Sequence, residues 1–215
     1  MKVTPKMKKI YADIQNHLFC MIPERFESIY LYASIIEQVH GMPIGEMFFY
    51  YFPKGILKKR PINVYEIPNK FNIEDETYSK IINELYKLIK QLREEFIETA
   101  QVPWTNLTIK IENFKFFVEY YYDDLTMSPY SNYERHILWR YKYLKEDSNT
   151  YNKKEKELIQ KYLQENKLVE KKETYQEAIY NNRQKQKLDY ETEDHANEEN
   201  LDGKKEKNQI LNVKN

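Results

Sequence analysis

The spacing of apolar side chains along most of the chain predicts alternating helices and strands. From Thr4 to Met21, apolar residues recur at steps of three or four, which indicates an amphipathic helix with one buried face. A longer helix is predicted from Thr77 to Glu98, and Asn72 is its expected N-cap because carboxylates follow in the first turn. Its apolar stripe consists of Ile81, Leu85, Leu88, Leu92 and Phe96. Both helices therefore need a second layer to pack against.

Five segments have the pattern of β-strands, with apolar and polar residues in alternation or apolar residues throughout. They are Ser28 to Ile36, Glu46 to Phe52, Ile62 to Ile67, Leu107 to Glu112, and Phe116 to Asp123. The second segment is apolar or aromatic at nearly every position, which predicts a strand covered on both faces. The turn Glu112-Asn113-Phe114-Lys115 joins the last two segments into a hairpin.

Two further helices are predicted after the hairpin, over Asn132 to Leu144 and Lys153 to Leu163. The predicted fold class is therefore α+β: an antiparallel sheet of about five strands, packed by an N-terminal helix and a long central helix, and followed by C-terminal helices. Beyond about residue 165, Lys, Glu, Gln and Asn dominate, and such a composition does not offset the entropy cost of ordering. We predict an α+β domain over residues 1–164 and a charged tail over 165–215, largely disordered or partly helical.

Charge and cysteine content restrict the class of protein. The 215 residues include 34 Lys and Arg and 34 Asp and Glu, so net charge does not draw the chain to nucleic acid or to an anionic membrane. Cys20 is the only cysteine, which excludes an intramolecular disulfide and a thiolate zinc site. The sequence has neither a signal-peptide pattern nor an apolar run of the roughly 20 residues that span a membrane. We expect a cytoplasmic protein.

Residue types that carry catalysis are present but not arranged for it. The four histidines have no neighbours at a metal-ligand spacing, no serine lies in a nucleophile elbow, and no glycine-rich phosphate loop occurs. The adjacent pair Glu94-Glu95 is expected on a solvated helix face, where the two side chains point apart. We expect no catalytic residue, no metal, no cofactor and no enzymatic activity.

The predicted hairpin is locally acidic. Glu112, Glu119, Asp123 and Asp124 are set against Lys115 in the turn, although the two aspartates at the strand end also suit a turn. The chain has 20 tyrosines, several of them on predicted strands, and tyrosine provides a large contact area at low conformational cost. Acidic and aromatic side chains on an outward sheet face are typical of a surface that binds a partner.

Several motifs follow one another in an order that is typical of one family. The most specific are Leu92-Arg93-Glu94-Glu95-Phe96, Pro103-Trp104-Thr105, and Tyr133-Glu134-Arg135 with Trp139-Arg140-Tyr141. Upstream of them stand Met21-Ile22-Pro23-Glu24, Tyr30-Leu31-Tyr32-Ala33, Phe48-Phe49-Tyr50-Tyr51, and Ile67-Pro68 with Asn72-Ile73. From about Lys9 to Leu163 the chain resembles the YezG/EsaG type of immunity proteins, antitoxins that neutralise LXG-class nuclease toxins of Gram-positive bacteria. Pro103, Trp104 and Trp139 are the family-signature positions.

The resemblance implies a stoichiometric inhibitor that binds the nuclease domain of a type VII-secreted toxin and needs no catalysis. A nuclease surface is basic because it binds phosphate, so an acidic and aromatic surface would suit it. The candidate contact residues are Glu119, Tyr121, Asp123 and Asp124, on the outer side of the hairpin. Direct binding to nucleic acid or to a membrane is not expected.

Two other classes of function stay open. A nucleic-acid-binding or regulatory α+β module would stack bases on exposed strand aromatics, and its binding would fall steeply with salt, although the balanced charge argues against it. A small-molecule enzyme would need a concave pocket with convergent polar groups. A bound metal or a buried carboxylate cluster would favour the enzyme.

Overall fold

The computed structural model describes residues 2–36, 45–55 and 60–167. The chain divides into two units, Met1–Ile159 and Gln160–Asn215. The first unit holds the sheet and its helices, and the described part of the second, 160–167, is helical. Residues 168–215, which make up most of the predicted tail, lie outside the described residues, so the domain boundary near residue 165 stays a prediction.

The described strands form one antiparallel sheet. They are β1 (Phe26–Ser34), β2 (Met47–Pro53), β3 (Ile62–Asn63), β4 (Asn106–Glu112) and β5 (Lys115–Tyr121). Among the described residues their order in the sheet is β3-β2-β1-β4-β5. The central strand β1 places Leu31 opposite Phe49 on β2 and opposite Ile109 on β4.

Helices precede, interrupt and follow the strands. They are α1 (Pro5–Cys20), α2 (Ile67–Phe71), α3 (Asp75–Glu98) and α4 (Asn132–Leu144), and residues 153–159 are helical as well. The predicted α+β class, with an antiparallel sheet of five strands, an N-terminal helix, a long central helix and C-terminal helices, is confirmed.

One face of the sheet packs against α1 and α3 and forms the main core. The buried apolar residues of the two helices include Met7, Ile14 and Leu18 of α1, and Leu85, Ile89, Leu92 and Phe96 of α3. The sheet contributes Ile29, Leu31, Phe49, Leu107 and Ile109 to the same cluster. Burial of this apolar surface, at about 25 cal/mol per Å², is the main stabilising contribution to the fold.

A buried carboxylate joins the start of α1 to the end of α3. Glu95 is only 4% exposed, although the sequence analysis expects it on a solvated face. Its carboxylate accepts a hydrogen bond from Thr4 Oγ1 at 2.7 Å and pairs with Lys6 Nζ at 2.9 Å. The Lys6 ammonium and the Thr4 hydroxyl lower the pKa of Glu95. The expectation is wrong because α1 lies across this part of the helix and supplies both partners.

Two other local predictions are wrong. The strand predicted over Ile62 to Ile67 ends at Asn63, because the Asn63 side chain accepts a hydrogen bond from the Tyr65 amide at 3.1 Å and starts a 3-10 turn. Asn72 does not cap α3; its φ of 52° ends α2, and Glu74 is the N-cap of α3. Asparagine tolerates this left-handed conformation, so it can end a helix as well as start one.

The other face of the sheet is covered by α4. This helix begins with a capping box in which Ser131 and Glu134 bind each other's backbone amides. Trp139 and Leu144 form a second buried cluster with Tyr32 of β1 and Tyr50 of β2. Phe48, Phe52, Tyr30 and Tyr143 pack around that cluster. The aromatic residues on this face are therefore partly buried beneath a helix, and β2 is covered on both faces, as its apolar sequence predicts.

Candidate partner-binding surface

The four predicted contact residues lie at the end of β5 and in the loop after it. Glu119 and Tyr121 alternate with Tyr120, which packs into the main core, so they point to the face that carries α4. Asp123 and Asp124 follow the strand and are exposed to solvent. The structure thus brings Glu119 and Tyr121 together and places the two aspartates in a separate loop.

Glu119 is the centre of a polar cluster that links β4, β5 and α4. Its carboxylate is ion-paired with Lys110 of β4 and accepts hydrogen bonds from Tyr121 Oη at 2.8 Å and Tyr143 Oη at 2.6 Å. Partial burial favours the neutral acid, but the hydrogen bonds from Lys110, Tyr143 and Tyr121 outweigh burial and lower the pKa of Glu119 to about 2. Glu119 is therefore ionised at neutral pH and already compensated by a lysine.

A second lysine lies against the same cluster. Lys142 of α4 places its ammonium 5.2 Å from the ring centre of Tyr121 and 5.1 Å from that of Tyr143. It also donates a hydrogen bond to Tyr121 Oη at 3.3 Å. The surroundings of Glu119 and Tyr121 are consequently not acidic, because the two positive charges of Lys110 and Lys142 outnumber the one negative charge of Glu119.

The acidic part of the surface is the loop that follows β5. Asp124 caps the 3-10 turn Leu125–Met127 by accepting hydrogen bonds from the Thr126 amide at 2.9 Å and the Thr126 hydroxyl at 2.6 Å. The Thr126 hydroxyl and amide lower the pKa of Asp124. Asp123 is exposed beside it, and so are Tyr122 and Met127. The loop therefore combines two carboxylates with large apolar side chains in solvent.

The family-signature residues support the fold from within. Trp104 is fully buried, and its carbonyl accepts a hydrogen bond from Arg93 Nε at 2.9 Å. Trp139 is buried on the other face, and Pro103 is half-buried at the surface. α3 ends before Pro103, since Ala100 adopts a left-handed φ of 54° just beyond the helix. Neither tryptophan is available to a partner without rearrangement of the core.

His136 of α4 is half-buried against aromatic residues of β2. Its Nε2 forms a hydrogen bond with Tyr50 Oη at 2.9 Å, and its ring stacks on Phe48 with 4.0 Å between the ring centres. Burial, together with the nearby Arg140 guanidinium, lowers the pKa of His136 to about 4. The imidazole is therefore neutral at pH 7 and acts as an aromatic packing group with one hydrogen bond.

The described residues 2–36, 45–55 and 60–167 contain neither a metal-binding cluster nor a membrane-spanning helix. Over that part, no three side chains of His, Cys, Asp or Glu stand close enough together to hold a metal ion. Over the same residues, no helix combines the length and the apolar character needed to cross a membrane.

The partners of Glu119 were not predicted from the sequence. Lys110, Lys142 and Tyr143 come from two other elements, and only the fold brings them to β5. Part of the signal was in the strand alternation: β4 pairs Thr108 with Glu119 and Lys110 with Phe117, so the four side chains share one face. The contribution of α4 had no such signal, because the position of a helix on a sheet is not encoded in its periodicity.

Residues 7–160 match the model of a family described as immunity protein YezG-like. The chain is 34% identical to the protein named Immunity protein YezG of Bacillus spizizenii over 142 residues, which cover 66% of this chain and 84% of that protein. It is 30% identical to the protein of the same name from Bacillus subtilis over 139 residues, 64% of this chain and 87% of that protein. It is also 34% identical to the Type VII secretion system protein EsaG of Staphylococcus aureus over 102 residues, 47% of this chain and 58% of that protein.

Proposed function

Because the chain belongs to the family of YezG-like immunity proteins, we propose that it is an antitoxin that binds a cognate secreted nuclease toxin in the cytoplasm and inhibits it stoichiometrically. The observation that carries this proposal is the family match over residues 7–160, which includes the whole sheet and α4. Inhibition of this kind needs a complementary surface and no catalytic group. The proposed target is an LXG-class toxin of type VII secretion, and the type VII part of this proposal is supported by the name of the staphylococcal relative, Type VII secretion system protein EsaG.

The charge of the expected partner supports the use of the loop after β5. A nuclease that binds the phosphate backbone carries Lys and Arg at its active site, so an acidic surface is attracted to that site. Asp123 and Asp124 provide exposed carboxylates, whereas Glu119 is already paired with Lys110. In this proposal the two aspartates guide the encounter, and Tyr121 and Glu119 contact the toxin beside them.

The rival function, a nucleic-acid-binding module, is less well supported by the geometry. Base stacking needs exposed aromatic rings on the sheet, next to cations. On the face of the sheet that packs against α4, Tyr32 and Tyr50 of the strands and Trp139 of the helix are all at least nine-tenths buried. Phe117, at 46%, is exposed beside Lys110 on that face, and one exposed ring does not make a platform on which successive bases stack.

Capture of the toxin and an assay of its activity test the proposed function. The tagged full-length chain is used to purify its partner from lysate of the cells that produce it, and the partner is identified by mass spectrometry. We expect an LXG-type nuclease whose DNA cleavage falls to background at a one-to-one ratio. Recovery of nucleic acid without a toxin, or a nuclease that stays active with a molar excess of the chain, contradicts the proposal.

A further inference from the structure

The tip of the β4–β5 hairpin carries a large aromatic side chain in an unfavourable backbone conformation. Asn113 has a φ of 50° and Phe114 a φ of 61°, so both turn residues are left-handed, as the favoured two-residue hairpin loop requires. Asparagine tolerates this conformation, and glycine is the usual second residue. A bulky side chain at that position destabilises the turn relative to glycine.

Phe114 does not offset this strain by packing. Its side chain is 79% exposed, as high a value as that of any large apolar residue in the described part of the chain. On the following strand Phe117 is also exposed, at 46%. A side chain that strains the backbone and remains in water does not stabilise the free protein, whereas an exposed aromatic on a rigid turn is well suited to anchor a complex.

An open cleft of about 390 Å³ lies next to the turn, since Glu112 and Asn113 form part of its wall. The rings of Tyr30 and Phe52, in edge contact at 5.9 Å, also line the cleft. The other wall residues include the carboxylates of Glu27, Glu146 and Asp147 and the ammonium of Lys145. Arg140 pairs with Glu146 at 2.8 Å, and the four carboxylates of the wall, Glu112 included, outnumber Lys145 and Arg140 together.

We propose that the hairpin tip is an anchor for the toxin: Phe114 inserts into an apolar socket on the toxin, and a Lys or Arg beside that socket enters the cleft. The charge of the cleft selects a cation, and the rings of Tyr30 and Phe52 add cation–π attraction. This inference rests on the proposed function, because a basic nuclease surface supplies the cation. The contact is distinct from the Asp123-Asp124 loop, which lies at the other end of β5, about 20 Å away for a strand of this length.

Replacement of Phe114 by glycine separates anchoring from folding. Phe114→Gly removes the side chain and relieves the backbone strain, so we expect a urea unfolding midpoint equal to or higher than that of the wild type. The affinity for the purified nuclease domain of the captured toxin, measured by titration calorimetry, is expected to fall at least ten-fold. A structural role for Phe114 would instead lower both the unfolding midpoint and the affinity.

Two further variants complete the experiment. Val102→Ala trims a side chain that is 71% exposed away from the hairpin and the cleft, and it is expected to bind within three-fold of the wild type. Glu27→Lys reverses a charge of the cleft and is expected to weaken binding at least five-fold. If Phe114→Gly binds as tightly as the wild type, or is less stable, the anchor is overturned. If the wild-type chain itself does not bind the nuclease, the proposed function fails and the anchor fails with it.

Discussion

The indole N–H of Trp139 donates a hydrogen bond to the hydroxyl of Thr108 at 3.1 Å, and both residues are buried. This bond joins α4 to β4, so the helix is held on the sheet by a directional contact as well as by apolar packing. The same helix carries Tyr143 and Lys142, which contact Glu119 and Tyr121. The geometry of the predicted contact residues on β5 therefore depends on where α4 sits.

A double-mutant cycle measures this attachment. We expect Trp139→Phe to lower the free energy of unfolding by about 2 kcal/mol, because it removes the indole hydrogen bond to Thr108 and removes packed atoms. Thr108→Val is expected to cost about 1 kcal/mol. In the double variant the two losses should fall short of additivity by about 1 kcal/mol, measured by urea unfolding. Strict additivity would mean that the bond contributes nothing to the fold.

Sequence patterns predicted the elements well where one physical rule dominated. Periodicity located α1 and α3, and α4 spans Asn132–Leu144 as predicted. The uninterrupted apolar sequence of β2 predicted that both its faces are covered. Asn72 was misassigned because asparagine suits both a helix N-cap and a left-handed helix end, and only the chain path decides between them.

The candidate site was less predictable because its chemistry depends on tertiary neighbours. The sequence places Glu119 in a locally acidic hairpin, but the fold adds Lys110 and Lys142 and makes that point basic. The fold also leaves Asp123 exposed while it pairs Glu119, and this difference between the two carboxylates is not visible in the sequence. The strain at Phe114 depends on the turn geometry, and that geometry follows from a two-residue loop between paired strands.

The Glu119 cluster predicts a pH dependence of stability. The pKa of Glu119 falls from its ordinary 4.5 to about 2 in the folded chain, so the folded state favours the ionised form. Its stabilising contribution is present above pH 4.5 and is lost as the pH falls towards about 2. Glu119→Gln should therefore lower the urea midpoint at pH 7 and differ less from the wild type at pH 3. The exposed Glu157→Gln is the control; a constant difference between Glu119→Gln and the wild type would refute the role.

His136 gives a second pH dependence in a higher window. Its pKa falls from 6.5 to about 4 on folding, so between these values the unfolded chain binds more protons than the folded one. This contribution to stability is therefore complete above pH 6.5 and is lost as the pH drops to about 4. His136→Gln keeps a hydrogen-bond partner for Tyr50 but does not titrate, so its unfolding free energy should vary less over this range. An imidazole NMR titration midpoint near 6.5 in the folded wild type would contradict the expectation.

Charge reversal in the loop after β5 tests the proposed encounter surface. Asp123→Lys should slow association with the toxin nuclease about ten-fold at low ionic strength and change dissociation little, because an exposed charge acts mainly by steering. The difference should shrink as salt is added. Stopped-flow kinetics measure both rates, with Glu157→Lys as a matched change of charge elsewhere. Equal slowing by the two variants would indicate a general charge effect rather than a contact in this loop.

Because β1 lies in the centre of the sheet, its pairing with β4 is delayed until β4 has been synthesised. The hydroxyl of Tyr30 on β1 donates a hydrogen bond to the carboxylate of Glu112 on β4, and the two residues are 82 positions apart in the chain. At roughly 5–20 residues per second, a ribosome needs about 4 to 16 seconds to make that stretch. During those seconds β1 has no β4 to pair with, and the β4–β5 hairpin has not yet been synthesised. In the proposed function, a chain that is still being made therefore cannot yet present this hairpin to a toxin.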